Sequence, residues 1–362
     1  MIQIKPPVHY GTVNEQLLLQ LATGKTIAIV CSNSVWEKTY IRDVIESLGS
    51  KYDIRLFKHL RPDAPFSDLQ QIIDSFDGGK PDSLIGIGGG SVIDACKALS
   101  VCFAGVSLRD LFYKVHPLPE KSIPLLAVPT TAGTGAELSF GAILYDDVDN
   151  VKGGIRGAVL QPDAVIIDVD LYKTAPKKIL AEVGFDCLTH SMETYLSVKS
   201  DPLTRYQSVS AIRTVLNFLP TAVEGDLDSL RRMTIASAMM GINLAFSSTC
   251  LPHRIQYAIG PLTGTSHAQG LIALYKGWLP LVGADKEASG LANLENELQS
   301  GFNLIDRIHA LKQDLDIDYS ISSLGVKPEQ IGQIAASVKG AVEMDPCFKD
   351  TNTIVQLLEG SL

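Results

Sequence analysis

This chain has no apolar run approaching the roughly 18–20 residues of a membrane span. It also lacks an excess of positive charge. Lys and Arg number 31 against 40 Asp and Glu, net −9, with no basic tail or stripe. Nucleic acid and membranes are therefore not expected partners. The six cysteines, Cys31, Cys96, Cys102, Cys187, Cys250 and Cys347, are scattered without a CxxC pair. That excludes a disulfide frame or a zinc clip and fits a reducing compartment. The opening Met1–Pro7 stretch has no signal-peptide pattern, and there is neither an internal repeat nor a low-complexity segment. What remains is an ordinary globular composition, 46% hydrophobic and 20% charged, in 362 residues. That length suits two domains. The expectation is a cytoplasmic protein acting on small molecules.

The first half alternates β-branched runs with helical patterns. Runs at 25–31, 52–57, 83–87, 124–129 and 163–168 read as strands of a parallel, doubly wound sheet. After Pro176 the apolar residues recur at three- and four-residue steps: Ile179, Val183, Leu188, Met192, Leu196. Similar patterns cover 203–223 and 227–246, and no later strand is convincing. The sequence thus predicts an α/β dinucleotide-binding domain over 1–175 and an all-helical domain over 176–362.

Gly88-Gly89-Gly90-Ser91 joins the third strand to a helix over 92–100. Glycines allow close backbone approach, and a helix N-terminus attracts a pyrophosphate. The spacing is not the Rossmann GxGxxG, and a tight turn without a ligand would look the same. A second loop, Pro129-Thr130-Thr131-Ala132-Gly133-Thr134-Gly135-Ala136-Glu137, follows the fourth strand. Its hydroxyls and glycines suit phosphate or ribose contacts at a strand's carboxyl end; local capping is the alternative.

Only seven histidines are present. Asp186 and His190 lie four apart on one helix face, while His253 and His267 flank the Gly260–Gly264 stretch. One carboxylate and three imidazoles would suit a divalent transition metal. An ordinary i,i+4 pair and hydrogen-bonded core histidines would satisfy the same spacing.

Taken in order, these motifs resemble the iron-containing (group III) alcohol dehydrogenase family. Gly88–Lys97 is similar to its GGGSxxDxxK turn, and 129–137 to its PTTxGTGxE loop. Gly184–Tyr195 resembles its GxDALxHxxExY helix, and Lys152 sits where the family keeps a lysine near the cofactor. The resemblance implies the fold shared with dehydroquinate synthase, a homodimer, and a metal-dependent NAD(P)-linked dehydrogenase or reductase of a small alcohol or aldehyde. It implies Fe2+ or Zn2+ on Asp186, His190, His253 and His267. The dinucleotide would fall to Ser32, Gly88, Gly89, Gly90, Ser91, Asp94, Lys97, Thr130, Thr131, Thr134 and Lys152. Tyr257 and His267 are the candidate catalytic residues.

Departures from the family pattern carry information. Tyr257 stands where a histidine is usual, and Ala268 where a glycine is usual. The segment after Pro280 is short. Cys31-Ser32-Asn33-Ser34 holds no acid, which permits the 2′-phosphate of NADPH. Arg254 follows a ligand position in a run similar to a branch acting on phosphonoacetaldehyde; a surface ion pair is its alternative role. Two rival readings share the motifs: a glycerol dehydrogenase- or dehydroquinate synthase-like enzyme, and a cofactor-binding pseudoenzyme subunit. The Asp186–His190 pair argues against the first, and an intact buried ligand set against the second.

Overall fold

The β-branched runs of the first half line up as one parallel sheet because their alternate residues must be covered on both faces. The computed structural model describes residues 6–299, 301 and 303–362, and the chain divides between Pro176 and Lys177 into two compact units. The strands of the first unit are β1 Val8–Tyr10, β2 Thr26–Cys31, β3 Asp53–Phe57, β4 Ser83–Gly88, β5 Leu125–Pro129, β6 Gly141–Asp146, β7 Val151–Arg156 and β8 Ala164–Ile167. Its helices are α1 Glu15–Leu21, α2 Asn33–Lys38, α3 Ile41–Leu48, α4 Phe66–Asp74, α5 Gly90–Cys102, α6 Leu108–Tyr113 and α7 Val169–Tyr172.

The sheet runs β1-β8-β5-β4-β2-β3, all parallel. From β2 the chain moves outward to β3, then crosses back to β4 on the other side of β2. The covering helices change face with it. Ile27, Ile29, Ile85 and Ile87 pack with α1–α3, whereas Ala28, Val30 and Leu84 pack with α4–α6. The reversal lies between β2 and β4, and such a switch point is where open α/β sheets bind ligands. All five predicted strands are in this sheet.

Three strands escaped the sequence reading. β1 has three residues and pairs only at the β8 edge. β6 and β7 form a separate antiparallel hairpin, whose outer strand includes Gly153 and Gly154 and buries only some of its residues.

The second unit is helical: α8 Lys177–Leu196, α9 Pro202–Val223, α10 Leu227–Phe246, α11 Leu251–Thr263, α12 His267–Ala284, α13 Lys286–Ser289, α14 Leu291–Leu298, α15 Leu304–Asp314, α16 Ile331–Ser337 and α17 Thr351–Gly360. Among the described residues it contains no strand. α8 is buried on every side from Gly184 to Leu196, as expected of a helix that other helices surround. No single described helix is long and apolar enough to cross a membrane.

Candidate metal centre and dinucleotide turn

Helix α8 carries Asp186, His190 and Glu193 at i, i+4 and i+7, one face in an α-helix. α11 starts with Leu251 and Pro252, so His253 falls in its first turn; Pro there lacks a donor that the turn would not use. Two carboxylates satisfy this N-terminus: Glu193 accepts from Cys250 N at 2.6 Å and Asp345 from Leu251 N at 3.0 Å. His267 is the first residue of α12, fixed by a capping box between Ser266 and Gln269.

These three helices bring the four predicted ligands together. Ligand atoms of Asp186, His253 and His267 lie within 4.8 Å of one another. Asp186 Oδ1 is 3.8 Å from Nε2 of both His190 and His253. The His190 and His253 rings stack with centroids 4.8 Å apart, and His253 meets His267 edge-on at 5.3 Å. Asp186 is 2% exposed.

Such a cluster is costly without a cation. Thr189 donates to one Asp186 oxygen at 3.0 Å, but no Lys or Arg among the described residues pairs with that carboxylate. Burial, reinforced by His190, holds His253 well below its ordinary pKa, so its ring stays neutral. Its Nδ1 lies 2.8 Å from each Glu193 oxygen, while the buried Nε2 has no hydrogen-bond partner. A neutral imidazole with an orphaned inner nitrogen, beside a buried carboxylate and two more imidazoles, fits a divalent metal of the iron or zinc kind.

Arg254 is not the surface charge weighed from the sequence. Its guanidinium is partly buried, donates from Nη2 to Thr249 Oγ1 at 2.6 Å and lies 5.9 Å from the Tyr257 ring. Nε is buried without a partner, and no described carboxylate pairs with the group. Tyr257 in turn stacks on His267.

In the α/β unit the turn Gly88–Ser91 lies at the carboxyl end of β4, beside the switch point. Ser32 is at the end of β2, its N–H bonded to Ile87 O at 2.9 Å, and its buried hydroxyl has no partner. Close packing accounts for the glycines. A Cβ at Gly88 would sit 2.6 Å from Val92, one at Gly89 3.1 Å from Thr131 Oγ1, and one at Gly90 2.8 Å from Thr134. The two predicted loops therefore seat on each other, with Thr130 N bonded to Gly88 O at 3.0 Å.

Two sequence expectations need correction. Lys97 does not offer its ammonium to the turn. It is fully buried and donates to Ser139 O, Ser139 Oγ and Gly141 O at 3.1, 3.0 and 2.7 Å, holding the start of β6 against α5. Desolvation lowers its pKa. Asp94 accepts from Ile143 N at 2.9 Å and ties the same hairpin down. Lys152 reaches the turn indirectly. It pairs with Asp63 at 2.7 Å, whose backbone N–H donates to Ser91 Oγ at 3.0 Å. Glu193, Gln256 and Asp63 were not singled out by sequence. The available signal for Glu193 was its seven-residue step from Asp186.

Comparisons with known proteins agree with this architecture. The family model for iron-containing alcohol dehydrogenase matches residues 9–169, and the Fe-containing alcohol dehydrogenase C-terminal model matches 180–362. The chain belongs to the iron-containing alcohol dehydrogenase family, oxidoreductases that use a nicotinamide dinucleotide and a divalent metal. It is 30% identical to the 1-propanol dehydrogenase PduQ of Citrobacter freundii over 67% of this chain and 63% of that one. It is 26% identical to the sulfoacetaldehyde reductase of Bilophila wadsworthia over 85% and 84%. Several curated relatives are matched over only 30–65% of their own length. The iron-containing alcohol dehydrogenase from Thermococcus thioreducens has the same fold, with a TM-score of 0.88 at 23% identity over 100% of this chain and 99% of that one.

Proposed function

We propose that this chain is a metal-dependent, NAD(P)H-linked reductase of a small aldehyde ending in an acidic group, phosphonoacetaldehyde or sulfoacetaldehyde being the chemical type. One observation carries the metal part: four ligand-type side chains from three helices converge on a buried space with His253 Nε2 left unpartnered. Asp186, His190, His253 and His267 would hold the cation. A bound divalent metal supplies Lewis acidity toward a carbonyl or alcohol oxygen. Arg254 offers a guanidinium with no carboxylate in ion-pair contact, one residue from His253, and a planar fork suits phosphonate or sulfonate oxygens. Tyr257, stacked on His267, is the candidate proton carrier. A bound nicotinamide dinucleotide would supply the hydride chemistry, and the protein's part would be position and field.

The turn residues Gly88–Ser91, with Thr130, Thr131 and Thr134, would cradle the diphosphate; Ser32 and Lys152 flank it. Ser32 in place of an acid would admit the 2′-phosphate of NADPH.

The test is elemental analysis of protein purified without added metal, followed by NAD(P)H oxidation with phosphonoacetaldehyde, sulfoacetaldehyde and butyraldehyde. Expected is one metal per chain and net NAD(P)H consumption, both lost in His253→Ala. Arg254→Met should raise KM for the acidic aldehydes at least 10-fold, about 1.4 kcal/mol, and leave butyraldehyde unchanged. Turnover surviving metal removal would reject the metal's role, and equal losses on all three aldehydes would reject the acidic substrate.

A further inference from the structure

We infer that Glu193 is the positioning residue of the proposed cation site, setting both the tautomer of His253 and the charge of the site, while Gln256 does only the first of these for His267. The inference rests on the metal reading above. The two histidines share one arrangement with different partners. His253 Nδ1 lies 2.8 Å from both Glu193 oxygens; His267 Nδ1 lies 2.7 Å from Gln256 Oε1. Glu193 and Gln256 have no exposed surface. An acceptor at Nδ1 requires the proton there and leaves the Nε2 lone pair for a metal.

The partners differ in charge and in strictness. An ionised Glu193 can only accept, and Cys250 N–H at 2.6 Å and Tyr275 O–H at 3.5 Å also donate to it. In that ionised form, which a bound cation would favour, Glu193 carries no donor that could turn the His253 ring over. With a dication bound, Glu193 and Asp186 would together supply two negative charges beside the positive Arg254. The Gln256 amide adds no charge. Gly270 secures its position: a Cβ there would meet Gln256 Cγ at 2.9 Å. Glu193→Gln keeps the shape but replaces one of the two oxygens facing His253 Nδ1 with an NH2. An amide N–H donating to Nδ1 favours the ring form that carries its proton on Nε2, where the metal belongs.

The test is Zn2+ affinity of metal-stripped protein by chelator competition, with Co2+ absorption reporting the ligand field. Compared are wild type, Glu193→Gln, Gln256→Glu and the double variant. Glu193→Gln should weaken Zn2+ binding about 10–100-fold. Gln256→Glu should tighten it at least fivefold. The double variant, with its charge moved to the other ring, should recover most of the loss; a merely structural role for Glu193 predicts no such rescue. If Glu193→Gln does not fold, Gln256→Glu alone decides: equal or weaker affinity than wild type overturns the inference. Unchanged affinity in folded Glu193→Gln overturns it too, while leaving the metal reading intact. Wild type that takes up no Zn2+ overturns both.

Discussion

Tyr257 and His267 lie ring over ring, with centroids 5.9 Å and planes 12° apart. Tyr257→Phe keeps that stack and removes only the hydroxyl. If the phenol carries the proton, turnover should fall about 100-fold with metal content unchanged, which steady-state kinetics and elemental analysis would read separately. Unchanged turnover would send the proton elsewhere. At this scale the legible residues were those whose spacing encodes a shared face: Asp186 and His190 lie four apart, and their meeting follows from helix geometry. His253 and His267 come from two other helices, so only their motif context pointed to them. Lys97 was misplaced because its position in the GGGSxxDxxK pattern suggested a contact with the dinucleotide. Its burial depends on β6, a strand the sequence hardly announces. Gln256 was invisible because an amide matters only for the ring beside it.

At the scale of elements, glycine marks where helices touch. Gly277 in α12 faces α17 so closely that a Cβ would lie 2.0 Å from Leu357 O. The obstacle is backbone, which cannot rotate away. Gly332 in α16 has nothing within 4 Å of that position. The same substitution should therefore have opposite signs. Gly277→Ala should destabilise by about 3 kcal/mol, in the range of overpacked cores, while Gly332→Ala should stabilise by about 0.5–1 kcal/mol through helix propensity. Denaturant unfolding of the two variants checks both. Equal effects would mean that propensity, not contact, governs these sites. The long helices and five of the six strands of the parallel sheet were legible from their apolar, β-branched patterns. The β6–β7 hairpin was not, since its glycines and partial burial blur the alternation.

For the whole molecule, Glu137 is one identifiable group whose contribution to stability falls as pH rises toward neutrality, while the depressed pKa of His253 acts in the opposite direction. Glu137 is 2% exposed. Burial lifts its carboxyl to about 7, with nearby Lys97 opposing and Asp94 adding to the rise; Asp94 itself is lifted to about 6, again by burial. A carboxyl with a folded pKa above its unfolded one binds its proton more tightly in the native state. Through this group the native chain holds more protons than the unfolded chain between pH 4.5 and 7, and its contribution to stability declines across that window. At 1.36 kcal/mol per unit, Glu137 accounts for at most about 3 kcal/mol. Self-repulsion of a chain with net charge −9 acts in the same direction. Glu137→Gln removes the titration and nearly preserves the shape. Its thermal midpoint should match wild type at pH 5 and exceed it at pH 8, both proteins being metal-stripped. A variant that loses as much stability as wild type between those pH values would show that the decline arises from other groups.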